Sequence, residues 1–269
     1  MDDTLLELQE HCAVLSQTLA ELSQTDRKSS GASMLLAADW LNLASGVCNV
    51  EILTGRFDDS LMYCGMAREF EDARSELLTR LATQLSIFNF AWGAFETTAK
   101  FVNPPSIPPN IRPNGANSLV VRSVYYLTQS NPIEGYSVRI DSLRTLLTQF
   151  PQFASALPTA PYPPHMTIAG SALDFVRKVR NEFAHGSASF PYPDDVGHWC
   201  GNTSQEPDVI GRSTRLVLLT MQMMLLRHYS GVNLSLRVLY DEDGFTQDAD
   251  VDLVLSKLHT KYRVPIIDG

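Results

Sequence analysis

The chain has 269 residues, of which 44% are hydrophobic and 19% charged, with fifteen glycines and fifteen prolines. It is long enough to bury a substantial core as one large domain or two modest ones, and it carries no long low-complexity tract. With 21 basic against 30 acidic side chains the formal charge is -9, which excludes a broad nucleic-acid scanning or packaging role but not a small cationic cleft.

Residues 4–24 are predicted to be helical, because Leu5, Leu8, Cys12, Leu15, Leu19 and Leu22 recur at spacings of three and four. A second apolar helix is expected over residues 33–47, with Met34, Leu35, Ala38, Leu41 and Ala44 toward a core and Trp40 packing rather than binding. The pattern weakens between Gly55 and Gly65. The longest helix is predicted over residues 69–102, where Leu77, Leu78, Leu81, Leu85, Phe88, Trp92, Phe95 and Ala99 form a wide stripe suited to a bundle. Asn89, Trp92 and Glu96 lie at helical spacing as a polar edge beside it. Glu96 reads either as a solvated or capping carboxylate, or as a group that orients a cation or histidine in a cleft shared with a later helix.

Helix formation stops before Asn103-Pro104-Pro105-Ser106-Ile107-Pro108-Pro109, since proline lacks an amide donor and restricts its predecessor. This stretch, near 103–115, reads as a surface insertion within one domain rather than a boundary. Short helices are expected over 116–127 and 138–150, and Pro161-Tyr162-Pro163-Pro164 breaks the chain again. The next helix, 167–185, has Ala169, Ala172, Leu173, Val176, Val179 and Phe183 on its core side, and Gly186 suits a left-handed cap. Residues 187–209 read as a polar loop punctuated by Phe190, Tyr192 and Trp199. Helix 211–229 is apolar nearly all round, so it sits at the centre of a bundle or under a partner subunit. Residues 234–240 alternate like a strand, Asp241-Glu242-Asp243-Gly244 can turn it, and 251–262 can form a terminal helix. That acidic turn lacks the ligand positions of a calcium loop.

Cys12, Cys48, Cys64 and Cys200 have no paired metal-ligand spacing and read as reduced, partly buried thiols. Met1-Asp2-Asp3-Thr4 lacks the basic start of a secretory signal. The nearest approach to a membrane span, residues 216–226, is about half the length required. A cytoplasmic protein with no membrane partner is expected.

The chemistry concentrates in Arg177, Lys178, Arg180, Asn181 and His185. Residues on a helix advance by roughly 100° each, so Arg177, Asn181 and His185 share a face, while Arg180 points elsewhere. A long guanidinium, an unwound last turn at Gly186, or a facing copy of the same motif can complete the geometry. Histidine titrates near neutrality and can take a proton from a ribose 2'-hydroxyl or give one to a leaving 5'-oxygen. Arginine offers fixed donors to the nonbridging phosphate oxygens as charge builds on phosphorus. DNA lacks the internal nucleophile, so the pattern points to RNA. Lys178 reads as a solvated charge, and Arg177 as either a phosphate contact or a solvated helix face. A zinc site built from His185, His198 and Cys200 lacks a fourth ligand and the usual spacing.

The order Arg180, Asn181, three residues, His185 resembles the signature of HEPN domains, many of which are ribonucleases of toxins, phage defence or RNA processing. Trp92-Gly93-Ala94-Phe95-Glu96 also resembles an upstream helix of some members. The resemblance implies an all-α, HEPN-like helical bundle over 69–229 with the proline-rich insertion near 103–115. Residues 1–68 would be an N-terminal helical extension packed on this core, and 230–269 a small C-terminal extension that includes β structure. It implies Arg180 and His185 as catalytic residues supported by Asn181; Arg177 and Glu96, read from their helix positions, are the candidates for substrate contact, and no metal or cofactor is expected. The implied activity is metal-independent endoribonuclease cleavage to 2',3'-cyclic phosphate and 5'-hydroxyl ends, in a toxin or antiviral defence setting. The implied partners are an RNA substrate, a second copy in a homodimer, and a protein inhibitor or activator. The alternative is a noncatalytic HEPN-like binding or regulatory protein forming a helical dimer. Some antitoxin-controlled members carry a tyrosine two residues beyond the histidine; this chain has Ser187, so modification there does not carry over.

Overall fold

In a computed structural model, the protein is described over residues 4–26, 31–111, 115–127, 132–150, 153, 167–186, 188–196, 199–201, 204–239 and 246–261. Among these, eight α-helices and two short antiparallel hairpins follow one another. The helices are α1 (Leu8–Thr25), α2 (Gly31–Gly46), α3 (Gly65–Val102), α4 (Leu119–Leu127), α5 (Tyr136–Leu147), α6 (Ile168–Ala184), α7 (Glu206–Tyr229) and α8 (Val251–Lys257). The strands are β1 (Asp194–Val196) with β2 (Trp199–Gly201), and β3 (Ser235–Leu239) with β4 (Thr246–Asp250). The chain is therefore mostly helical with a small β-containing C-terminal region. The turn expected at Asp241–Gly244, the break at Pro161–Pro164, Ser187 and His198 lie outside the described residues, as does the side chain of Cys200.

One hydrophobic core runs from Cys12 in α1 to Leu258 just after α8. α7 is its axis: every residue from Leu216 to Leu225 is buried, and α3, α5, α6 and α8 pack around it. The partner-covered alternative for this helix is thus unnecessary, because its own chain covers it. By length and composition alone α7 is also apolar enough to span a membrane, but 78% of that window is buried inside the fold. It begins at Glu206 rather than 211. Pro207 fits the first turn, where no amide donor is needed, and Glu206 and Asp208 sit at the positive end of the helix dipole.

Several expectations are corrected by tertiary contacts. α1 starts at Leu8, since the backbone of residues 4–6 pairs with the end of the chain: Leu5 bridges Thr260, Leu6 N donates to His259 O, and Lys261 N donates to Thr4 O. The same pairing ends α8 at Lys257, short of residue 262. Leu35 is exposed and Ala37 takes its place in the core, because α2 is apolar on both faces and only one can meet α1 and α3. Trp40 packs as expected, against Phe90, with Gly93 of α3 close enough that an added Cβ would lie 3.1 Å from the indole. Cys12 is buried, but Cys48 and Cys64 are exposed. Part of the loop after α6 forms the β1–β2 hairpin.

Between α2 and α3 an extended segment lies along α3. The amides of Val50, Ile52 and Thr54 donate to the hydroxyls of Thr83, Thr79 and Ser75 at 3.0, 2.9 and 3.0 Å. Two extended residues advance about 6.7 Å and four helical residues about 6 Å, so alternate amides meet every fourth side chain.

Candidate functional site

α6 presents an apolar flank to α4 and α7, where Ala169, Ala172, Leu173, Val176 and Val179 are buried. Phe183, near its end, is half-buried against Phe153 with ring centroids 5.6 Å apart. The opposite flank carries Asp174, Arg177, Lys178, Asn181 and His185. The helical path is kept up to the cap, since His185 N donates to Asn181 O at 2.9 Å. Gly186 then turns the chain at φ 68°, its amide bonded to Phe183 O, as a left-handed glycine cap does.

The charges on this flank are unevenly engaged. Asp174 accepts from Arg177 Nη2 at 2.6 Å and Nε at 3.1 Å, and its second oxygen lies 3.4 Å from Lys178 Nζ. One carboxylate thus faces both cations. The sequence carries a signal for this pairing, an acid three and four residues before two bases. Among the described residues no hydrogen bond, ion pair or ring contact engages the side chains of Arg180, Asn181 or His185. His185 is exposed, and Arg180 and Asn181 are half-buried. Because the helix stays wound, about 140° around the axis separates Arg180 from His185. A single α6 therefore carries both groups at one end without converging them.

Glu96 is engaged within its own helix. It is exposed and accepts from the Trp92 indole at 2.9 Å, one turn earlier on α3. The main neighbours of α3 are α2 and α7, and those of α6 are α4 and α7. No hydrogen bond joins Glu96 to Arg180 or His185. Among the described residues no group of three His, Cys, Asp or Glu side chains is arranged to hold a metal.

A second constellation was not singled out from sequence. Arg215 Nη1 donates to His11 Nδ1 at 2.8 Å, and Nη2 to Leu6 O at 2.7 Å. Arginine only donates, so His11 is neutral with its proton on Nε2, which it gives to Gln222 Oε1 at 2.7 Å. The Gln222 amide then donates to Leu255 O at 2.9 Å and to His259 Nδ1 at 3.1 Å. His259 Nε2 donates in turn to Glu134 O at 3.0 Å. Every donor in this chain meets an acceptor only while both imidazoles are neutral. Burial, with the Arg215 charge beside it, holds His11 well below the usual histidine range, and burial lowers His259 as well. Burial also pushes the adjacent Cys12 thiol up to about 12, which leaves it inert as a nucleophile. The only sequence clue was Gln222 itself, a buried amide within an apolar helix that must find partners. The network ties α1 and the segment just after α8 to α7, and His11, Gln222 and His259 are all buried.

Comparison with protein-family models, with curated proteins and with solved structures returns no match.

Proposed function

We propose that the end of α6 is the cleavage centre of a metal-independent endoribonuclease with a HEPN-like bundle, working as a homodimer. The observation that carries this reading is the pair Arg180 and His185 at a glycine-ended helix, neither engaged by a partner among the described residues nor sealed in a dry interior. Their angular separation on one helix requires that Arg180 of one copy work with His185 of the other. The imidazole of His185 takes the proton of a ribose 2'-hydroxyl as its oxygen attacks the adjacent phosphorus. The bond from phosphorus to the 5'-oxygen breaks, and the same imidazole passes the proton to that leaving oxygen. Arg180 binds the nonbridging oxygens as their charge grows, and Asn181 positions the imidazole or the RNA. The products are a 2',3'-cyclic phosphate and a 5'-hydroxyl. Arg177 and Lys178, already facing Asp174, contribute to holding the backbone rather than to the chemistry.

The test is RNA incubated with purified protein in chelator. Arg180→Ala and His185→Ala are each expected to lower cleavage by about a hundredfold or more with the fold intact. Mixing the two inactive variants is expected to restore part of the activity, because a mixed dimer keeps one complete pair. Protein that binds RNA at high concentration and leaves it uncut overturns the reading.

A second reading, a noncatalytic binding or regulatory protein, is favoured by apolar side chains left exposed. Leu36 and Leu43 on α2 are 51% and 53% exposed, and Phe57, Met62 and Tyr63 project before the start of α3. Leu36 and Leu43, two turns apart, share one face of α2, and exposed apolar faces are common at protein interfaces. Uncut but bound RNA, or no RNA binding at all, selects this alternative.

A further inference from the structure

The polar flank of α6 is laid out along the helix axis. Asp174, Arg177, Lys178, Asn181 and His185 follow one another at helical spacing, which keeps them within about 100° of the circumference. His185 stands at the glycine-ended terminus, with Asn181 about 6 Å behind it and Arg177 about 12 Å behind. Side chains on a helix lean toward its N-terminus, so the long arms of Arg177 and Lys178 do not close that gap.

Two cations converge on one carboxylate at the far end of this stripe. Asp174 Oδ1 accepts from Arg177 Nη2 at 2.6 Å and from Nε at 3.1 Å, and Oδ2 lies 3.4 Å from Lys178 Nζ. All three side chains are partly exposed, so solvent and ligand can reach them. Asp174 takes only the Nε and Nη2 side of the guanidinium; among the described residues nothing accepts from Arg177 Nη1. Two cations sharing one acid keep a net positive charge, in a chain whose formal charge is -9. A phosphate group suits that remainder, since it accepts several charged hydrogen bonds at once.

Neighbouring phosphates on one RNA strand are about as far apart as one four-residue step of a helix. With the scissile phosphate at His185, the next linkage falls beside Asn181 and the one after it at Arg177 and Lys178. We propose that Arg177 and Lys178 form a subsite for the phosphate two linkages from the scissile bond, on a single strand of RNA running along α6. The proposal rests on the cleavage reading of His185 given above. Asp174 is the positioning residue: it holds both cations at one point, and it is the rival that a phosphate displaces. The strand is unpaired, because a 2'-hydroxyl attacks in line with the leaving 5'-oxygen only where the linkage is free to turn. A dinucleotide offers the scissile linkage alone and misses the subsite.

The test uses the full chain and deoxyribonucleotide strands that contain one ribonucleotide, so that a single linkage can be cut. The phosphate two linkages away, on either side, is left charged or replaced by a neutral methylphosphonate. Neutralising it on one side is expected to raise KM about tenfold with kcat unchanged. Arg177→Gln is expected to raise KM as much on the charged strand and to change nothing on the neutral one. Should Arg177→Gln fail to fold, Lys178→Gln is read in the same way. Asp174→Asn is expected to lower KM on the charged strand alone, a split that a merely structural aspartate would not produce. Binding of the charged strand in a His185→Ala background, which leaves it whole, separates this proposal from the cleavage reading. There Arg177→Gln is expected to weaken binding about tenfold and to flatten its salt dependence. That loss in a protein that cuts nothing supports the phosphate subsite and removes the cleavage centre. Cleavage that ignores the distal phosphate, or binding that Arg177→Gln and Lys178→Gln both leave unchanged, overturns the proposal.

Discussion

Gly186 is where a single residue decides whether α6 delivers His185 to the surface. Its φ of 68° falls in the left-handed region, and an added Cβ would meet nothing within 4 Å. Any cost of Gly186→Ala is therefore a backbone cost, about 1 kcal/mol, with no steric part. Denaturant unfolding is expected to show that loss, and an asparagine there is expected to lose less. A variant as stable as the parent would mean that the left-handed turn is not held in solution. The neighbouring Asp174 works differently. Its pairs with Arg177 and Lys178 are partly exposed and so add little stability. Their effect is electrostatic, since a phosphate must compete with a carboxylate for both cations.

At the scale of elements, the segment between α2 and α3 is held by side-chain hydroxyls rather than by a sheet. Thr79 is the middle rung, accepting from Ile52 N at 2.9 Å and donating to the backbone. Thr79→Val keeps the shape and removes the oxygen, so the Ile52 amide loses its acceptor. A cost of about 1 kcal/mol is expected, together with faster hydrogen exchange at Ile52. Unchanged exchange there would show that the rung carries no load. The same ladder lets this segment run extended without a sheet, because the amides of Val50, Ile52 and Thr54 are satisfied by another element.

Across the whole molecule, the His11–Gln222–His259 chain links α1, α7 and the C-terminal segment and makes stability depend on pH. Both histidines are held below their ordinary range by burial, as is His228. Around His11 the facing groups are Arg215 and His259; around His259 they are Glu134, Arg215 and Lys257. Above about pH 6.5, where unfolded histidine is neutral too, the stabilisation is fully present. As pH falls below that value the unfolded chain takes up protons that the fold refuses, so stability drops through the lowered folded-state values. The slope is about 1.4 kcal/mol per pH unit for each proton. The Glu134 and Asp58 carboxyls, also held low, act only below the ordinary carboxylate range and leave this window to the imidazoles. Denaturant unfolding between pH 7 and 5 is expected to show falling stability, with a shallower slope in His259→Gln. A flat profile in the parent protein would contradict the neutral network.

How much of this was legible depends on whether the deciding interaction is local. The stripe Cys12, Leu15, Leu19, Leu22, the long helix ending at Asn103, the apolar run 216–225 and the cap at Gly186 could all be read from the sequence, because helix periodicity and glycine stereochemistry act within a few residues. The grouping of Arg177, Arg180, Asn181 and His185 on one helix end followed from the same local rules. What α6 leaves unpaired, where Glu96 points, and which histidines are neutral did not. His11 and His259 are separated by almost the whole chain, and Arg212 reaches Ser142 only because α5 docks on α7. Local backbone preferences set the helices; long-range packing chose which polar groups were left with partners, and sequence spacing carries no record of that choice.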